Sequence, residues 1–112
     1  MEIIIVNKPW GYKRILVETP NYTVSRLFVN KHNRLSLQTH PEKIETLIVE
    51  KNHCLITVDG DTRRYNKGDY VHIPINTIHR IEAGKRNCIV LEVATKSGDE
   101  VIRIEDDYNR IS

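Results

Sequence analysis

The chain has 112 residues, of which 39% are hydrophobic and 29% charged, and its formal net charge is +2. That length is most simply one domain, 1–112, with a single core. Both charge signs are spread along the chain, and no Lys/Arg block is interleaved with aromatics, which argues against a nucleic-acid partner.

The chain reads as short apolar or alternating runs broken by turn residues, with no convincing helix. Predicted strands fall at 3–6, 12–18, 22–29, 35–40, 45–50, 54–58, 62–66, 70–73, 79–82, 89–94 and 101–105. The first run, Ile3-Ile4-Ile5-Val6, ends at Asn7-Lys8-Pro9, and the second stops at Pro20-Asn21. Asp59-Gly60 between two runs is a hairpin signal, because both residues tolerate the positive φ of a tight two-residue turn. Further breaks lie at Lys51-Asn52, Lys67-Gly68-Asp69 and Ala83-Gly84-Lys85. Many short strands at near-regular spacing predict an all-β sandwich or barrel. The polar stretch after Glu105 reads as a tail or a final turn.

Cys54 and Cys88 sit inside apolar runs and are expected as buried free thiols. A disulfide between neighbouring strands stays open. No run approaches the ~18 apolar residues of a membrane span, and no basic segment precedes a short apolar one. The expectation is a soluble, cytoplasmic protein with no membrane partner.

Gln38 and His40 lie two apart in a predicted strand, so both side chains point to one face. Glu45 follows a Pro41-containing bend, and His79 follows Pro74 in a second turn-rich segment. Two imidazoles, a carboxylate and an amide oxygen suit Zn²⁺, Mn²⁺ or Fe²⁺ and leave positions for water or substrate. Each residue alone would more often be structural. The spacing of the set makes them a candidate metal site.

Two stretches carry a resemblance. His32, Gln38, His40, Glu45 and Asn52 fit the spacing of the first cupin motif, and Gly68, Pro74, Asn76 and His79 that of the second. Glycines of those motifs are replaced here by His32, Asn52 and Asn76, residue types that accept the left-handed region comparatively well. Within the cupins, Leu35-Ser36-Leu37-Gln38-Thr39-His40 with Glu45 resembles the signature of type II phosphomannose isomerases. Lys8-Pro9-Trp10-Gly11 is similar to the Arg-Pro-Trp-Gly that opens that domain, and the stretch from Arg103 to Arg110 to its closing Arg-x-x-Asp-x-Tyr-Gly-Arg. The resemblance covers nearly the whole chain. It implies a cupin double-stranded β-helix (a jelly-roll barrel), a divalent metal on Gln38, His40, Glu45 and His79, a sugar-phosphate substrate and a homodimer. It does not extend to nucleotidyl transfer, because no Gly-rich phosphate loop precedes a helix.

The implied activity is interconversion of mannose 6-phosphate and fructose 6-phosphate through a cis-enediol. The alternatives are another sugar or sugar-phosphate isomerase or epimerase, and a non-catalytic sugar-binding cupin. Lys43 stands where the family has an Arg, keeping the charge but not the planar fork. Candidate catalytic residues are Lys43, Arg80 and Glu92. The base is open among Glu92, His72 and Lys43, the last of which burial beside a cation would make competent by lowering its pKa. Trp10, His72 and Arg103 are candidate substrate contacts, with Trp10 also expected to pack in the core. Arg80, Lys43 and Arg103 are candidate phosphate clamps. Arg103, Asp107, Tyr108 and Arg110 are expected to form a polar cluster closing the fold. The Ile-rich first strand is the expected paired or exchanged edge of a dimer.

Overall fold

The computed structural model describes residues 3–95 and 101–110. Among these every regular element is a strand: β1 (Ile4–Lys8), β2 (Gly11–Glu18), β3 (Tyr22–Val29), β4 (Leu37–Thr39), β5 (Glu45–Lys51), β6 (His53–Val58), β7 (Asp61–Asn66), β8 (Tyr70–Ile73), β9 (His79–Ala83), β10 (Cys88–Thr95) and β11 (Ile102–Glu105). A six-stranded sheet runs β1-β2-β3-β10-β5-β8 and a five-stranded sheet runs β11-β4-β9-β6-β7. All pairings are antiparallel. Among the described residues no helix is long and apolar enough to cross a membrane.

The turns follow from the residues at them. Asp59 and Gly60 both have positive φ, 50° and 80°, as the tight hairpin between β6 and β7 requires. His32, Asn52 and Asn76 have φ of 63°, 60° and 56°, so the three residues standing for motif glycines do adopt the left-handed conformation. Gly11 is different in kind. Its φ is 153°, and a Cβ there would lie 1.8 Å from the carbonyl oxygen of Phe28, so only glycine lets β2 leave the Trp10 turn against β3. The run expected over 35–40 is strand only over Leu37–Thr39. Before it, the Leu35 amide bonds the Ile81 carbonyl, and after it His40 begins the bend at Pro41.

The sheets pack face to face, and alternate residues of each strand enter the space between them. That interior is divided along the strands. One half is apolar, with Leu27, Val29, Leu47, Val49, Ile56, Ile81 and Val90 all at most 3% exposed. Burying side chains of this size contributes roughly 1.5–3 kcal/mol each. Cys54 and Cys88 complete it as free, buried thiols facing each other from opposite sheets. The other half is polar. Continuing the same inward rows, Ser25 precedes Leu27 on β3, Glu45 precedes Leu47 on β5, His79 precedes Ile81 on β9, and Glu92 follows Val90 on β10. Register sets Glu92 directly opposite Ser25, while Glu45 lies opposite Ala94, the next inward position along β10.

Beyond β11, residues 106–110 form a turn. Asp106 accepts from the Arg110 amide at 2.7 Å and from its guanidinium at 2.9 and 3.0 Å. Arg34 grips Asp107 at 2.7 and 2.9 Å, and the Tyr108 hydroxyl donates to Asn33 at 2.8 Å. The expected closing cluster thus forms around Arg34 and Arg110 rather than Arg103. Residues 111–112 of the expected tail lie outside the described residues.

Candidate metal centre and its cavity

His40, Glu45 and His79 converge in the polar half. One ligand atom from each lies within 4.8 Å of the others, and all three side chains are buried. His79 Nε2 is 2.7 Å from Glu45 Oε1, His40 Nε2 is 4.0 Å from that oxygen, and the two rings are 5.3 Å apart at a 47° tilt. The backbone holds both histidines in place. The Asn76 amide, set by its left-handed φ, donates to the His40 carbonyl at 2.8 Å, tying the first bend to the second. His79 Nδ1 lies 2.8 Å from the Thr77 carbonyl. A carbonyl can only accept, so Nδ1 carries a proton and Nε2 is the nitrogen turned toward Glu45.

This arrangement fits a divalent cation. His79 Nε2 faces Glu45 Oε1, and His40 Nε2 lies within reach of the same oxygen, so two imidazole nitrogens and a carboxylate of the kind a divalent cation takes are gathered in one buried place. Burial alone would raise the pKa of Glu45, but the His79 ring and the Lys43 ammonium outweigh it and hold the carboxyl well below the usual range. The carboxylate is therefore the charged form that a metal needs. Gln38 sits in register with His79 across β4 and β9, and its Oε1 accepts from Ser36 Oγ at 2.7 Å. That hydroxyl fixes the amide and leaves a second lone pair on the oxygen.

The centre opens on a cavity of about 410 Å³ lined by Gln38, His40, Lys43, Glu92, Trp10 and Arg103, among others. Lys43 Nζ is 3.4 Å from Glu45 Oε2 and 3.7 Å from Glu92 Oε2, and Lys13 Nζ is 3.5 Å from Glu92 Oε1. Burial raises the pKa of Glu92 above the ordinary carboxylate value, with Glu45 adding to the rise and Lys43 and Lys13 opposing it. For Lys43 burial lowers the pKa, yet Glu92 and Glu45 together raise it above that of an ordinary lysine.

Residues 3–112 match the protein family described as mannose-6-phosphate isomerase C-terminal. The chain belongs to this family. It is 32% identical over 111 residues to a mannose-1-phosphate guanylyltransferase of Escherichia coli, a match covering 94% of this chain and 23% of that protein. The cupin thus spans about a quarter of the length of the curated relatives it matches. Among solved structures it superposes on an RmlC-like cupin from Shewanella frigidimarina with TM-score 0.78 and 14% identity, covering 88% of this chain and 87% of that one. It superposes on KdgF from Halomonas sp. with TM-score 0.77 and 17% identity, covering 86% and 88% of the two chains. These likenesses establish the jelly-roll fold of the cupins.

Of the residues singled out from sequence, the cupin brings Gln38, His40, Glu45, Lys43, Glu92, Trp10 and Arg103 to one place. Trp10 is 4% exposed and serves both core and cavity wall. Two expectations are corrected. Arg80 follows inward-facing His79 and so points to the other face of its sheet. There its guanidinium donates to the carbonyls of Leu35 (2.9 Å) and Glu105 (3.3 Å) and pairs with the Glu105 carboxylate at 3.6 Å. His72 lies between inward-facing Val71 and Ile73, is exposed, and contacts Thr46 Oγ1 at 3.2 Å. Neither lines the cavity. The expected lowering of the Lys43 pKa is also reversed, because two carboxylates face its ammonium.

Lys8, Lys13 and Ser25 line the cavity and were missed. Ser25 Oγ is fully buried without a hydrogen-bond partner. In β3 the two alternating rows, Ser25-Leu27-Val29 and Val24-Arg26-Phe28, are similarly apolar, so alternation could not tell which row faces inward. Only the register with Glu92 reveals it.

Proposed function

We propose that this cupin is a divalent-metal-dependent aldose–ketose isomerase interconverting mannose 6-phosphate and fructose 6-phosphate. The observation that carries the reading is the buried His40, Glu45 and His79 cluster beside a cavity that also holds Glu92 and Lys43. Family membership supports the substrate class.

His40, Glu45, His79 and Gln38 would hold the cation, and their donor set suits Zn²⁺, Mn²⁺ or Fe²⁺. When bound, it would supply positive charge that polarises the substrate carbonyl. Isomerisation then moves a proton between C1 and C2 through a cis-enediol, and this needs a base near a carbon-bound proton. Glu92 suits that role. Its raised pKa brings it closer to working pH, and its side chain stands in the wall of the cavity. Lys43 remains an ammonium and suits a different task, stabilising negative charge as it develops on the substrate oxygens. Ser25 Oγ, opposite Glu92, is free to bond a sugar hydroxyl. Trp10 forms an apolar wall against which the carbon chain can lie.

A sugar phosphate is a charged metabolite that does not cross membranes unaided, so the proposed site of action is the cytoplasm. We also propose a homodimer. β1 is an edge strand with one unpaired side, and Ile3, Ile4 and Ile5 are 62%, 42% and 53% exposed. A second copy would cover that apolar edge.

The test is a coupled assay with mannose 6-phosphate, run after EDTA treatment and again with Zn²⁺, Mn²⁺ or Fe²⁺ restored. Turnover lost to EDTA and regained with metal is expected. Saturable sugar binding without turnover would replace the isomerase with a non-catalytic sugar-binding cupin.

A further inference from the structure

The cavity gains positive charge with distance from the metal centre. Across the five-stranded sheet, His79 on β9 stands in register with Gln38 on β4, which stands in register with Arg103 on edge strand β11. At the usual strand spacing Arg103 starts about 10 Å from the His79 backbone. Across the facing sheet the strand order runs from β5, which carries Glu45, through β10 (Glu92) and β3 (Ser25) to β2 and edge strand β1, which bring Lys13 and Lys8 to the cavity wall. The two edge strands therefore bring cations to the same end of the cavity.

The cavity lining carries five cations, Lys8, Lys13, Lys43, Arg103 and Arg110, against two carboxylates, Glu18 and Glu92. Arg110, also on the cavity wall, is held by Asp106. Lys13 shares Glu92 with Lys43. Lys8 and Arg103 form no ion pair among the described residues, and Arg103 Nε is buried without a hydrogen-bond partner. Burial pushes the Lys8 ammonium below the usual lysine range, and neighbouring Lys13, Arg110 and Arg103 push it the same way, outweighing the opposite pull of Glu92. Like charges gathered in a partly enclosed space repel one another, and an anionic ligand would relieve the repulsion.

We propose that Lys8 and Arg103, supported by Lys13, form a subsite for a phosphate monoester, and that Lys8 sets the preference for phosphorylated over unmodified sugar. The ligand's identity as a sugar phosphate rests on the isomerase reading, whereas its negative charge rests on the cavity alone. One carbon chain could then place its carbonyl end at Gln38 and His40 and its phosphate between the two edge strands. Arg80, turned to the opposite face, takes no part.

Calorimetric titration of the as-purified protein with inorganic phosphate, mannose 6-phosphate and mannose at low ionic strength tests this, using wild type, K8Q, K8R and the K8Q/R103Q double variant. Wild type should bind phosphate saturably and prefer mannose 6-phosphate to mannose. K8Q should lose about tenfold in affinity for both phosphate ligands, and the double variant should lose the preference altogether. K8R should keep it, which separates charge from folding, and an unchanged melting temperature for K8Q checks the edge strand. In the coupled assay K8Q should raise KM for mannose 6-phosphate with kcat nearly unchanged. Wild type failing to bind phosphate, or K8Q binding it as wild type does, overturns the subsite. Absent turnover with phosphate binding still dependent on Lys8 would refute the isomerase and leave the subsite standing. Metal-dependent turnover with an unchanged KM in K8Q would do the reverse.

Discussion

His79 Nε2 and Glu45 Oε1 lie 2.7 Å apart, deep in the barrel, with the ring's other nitrogen committed to the Thr77 carbonyl. Two lone pairs at that distance repel unless a proton or a cation lies between them. The whole site is organised around that requirement, since His40 completes the cluster and Lys43 balances the second carboxylate oxygen.

Glu92→Gln should lower kcat by at least about a hundredfold while leaving metal content intact, because it removes the proposed base and keeps all four proposed ligands. Steady-state kinetics with metal analysis on the same preparation checks this. A variant that keeps full kcat would move the base elsewhere.

Arg80→Ala separates structure from chemistry. It leaves the Leu35 carbonyl without its guanidinium donor and frees Glu105, so it should cost about 1–3 kcal/mol of stability in urea unfolding. KM for mannose 6-phosphate should not change. A selective rise in KM would return Arg80 to the phosphate site.

Gly11→Ala should be more damaging than its size suggests. The added methyl group would meet the Phe28 carbonyl oxygen at 1.8 Å, so β2 and β3 must separate or the turn must rearrange. A loss of roughly 2 kcal/mol or more is expected from chemical denaturation, beyond the ordinary range of glycine replacements.

Acid stability should depend on Asp106. Its hydrogen bonds to Arg110 outweigh a smaller effect of burial and lower its pKa from 3.8 to about 2. A carboxyl depressed in the folded state stabilises the protein above its unfolded value, and that contribution is lost as pH falls toward the folded one. Stability of wild type should therefore drop as pH falls from about 4 to about 2, and Asp106→Asn should flatten that part of the profile. Thermal melts across the range decide it.

Much of this architecture was legible in the residues. Asp59-Gly60, Asn52 and Asn76 mark turns because few other residues accept positive φ, and the strands between them followed. Gln38 and His40 were readable as a pair from strand alternation, and the same rule applied one residue past His79 would have turned Arg80 outward. What stayed hidden depends on pairing between distant strands. Lys8 and Lys13 reach the cavity only because β1 and β2 fold over β3, and Ser25 faces Glu92 only through the β3–β10 register. The raised pKa of Lys43 likewise needs two carboxylates from separate strands, Glu45 and Glu92, to meet one ammonium.

The most direct measurement is the metal content of purified wild type beside His79→Ala, taken by elemental mass spectrometry after dialysis. Wild type should retain close to one divalent ion per chain, and the variant, still folded by circular dichroism, should lose at least about tenfold. Equal metal content in the two proteins, or none in wild type after incubation with Zn²⁺, Mn²⁺ and Fe²⁺, would contradict a cation between His79 and Glu45.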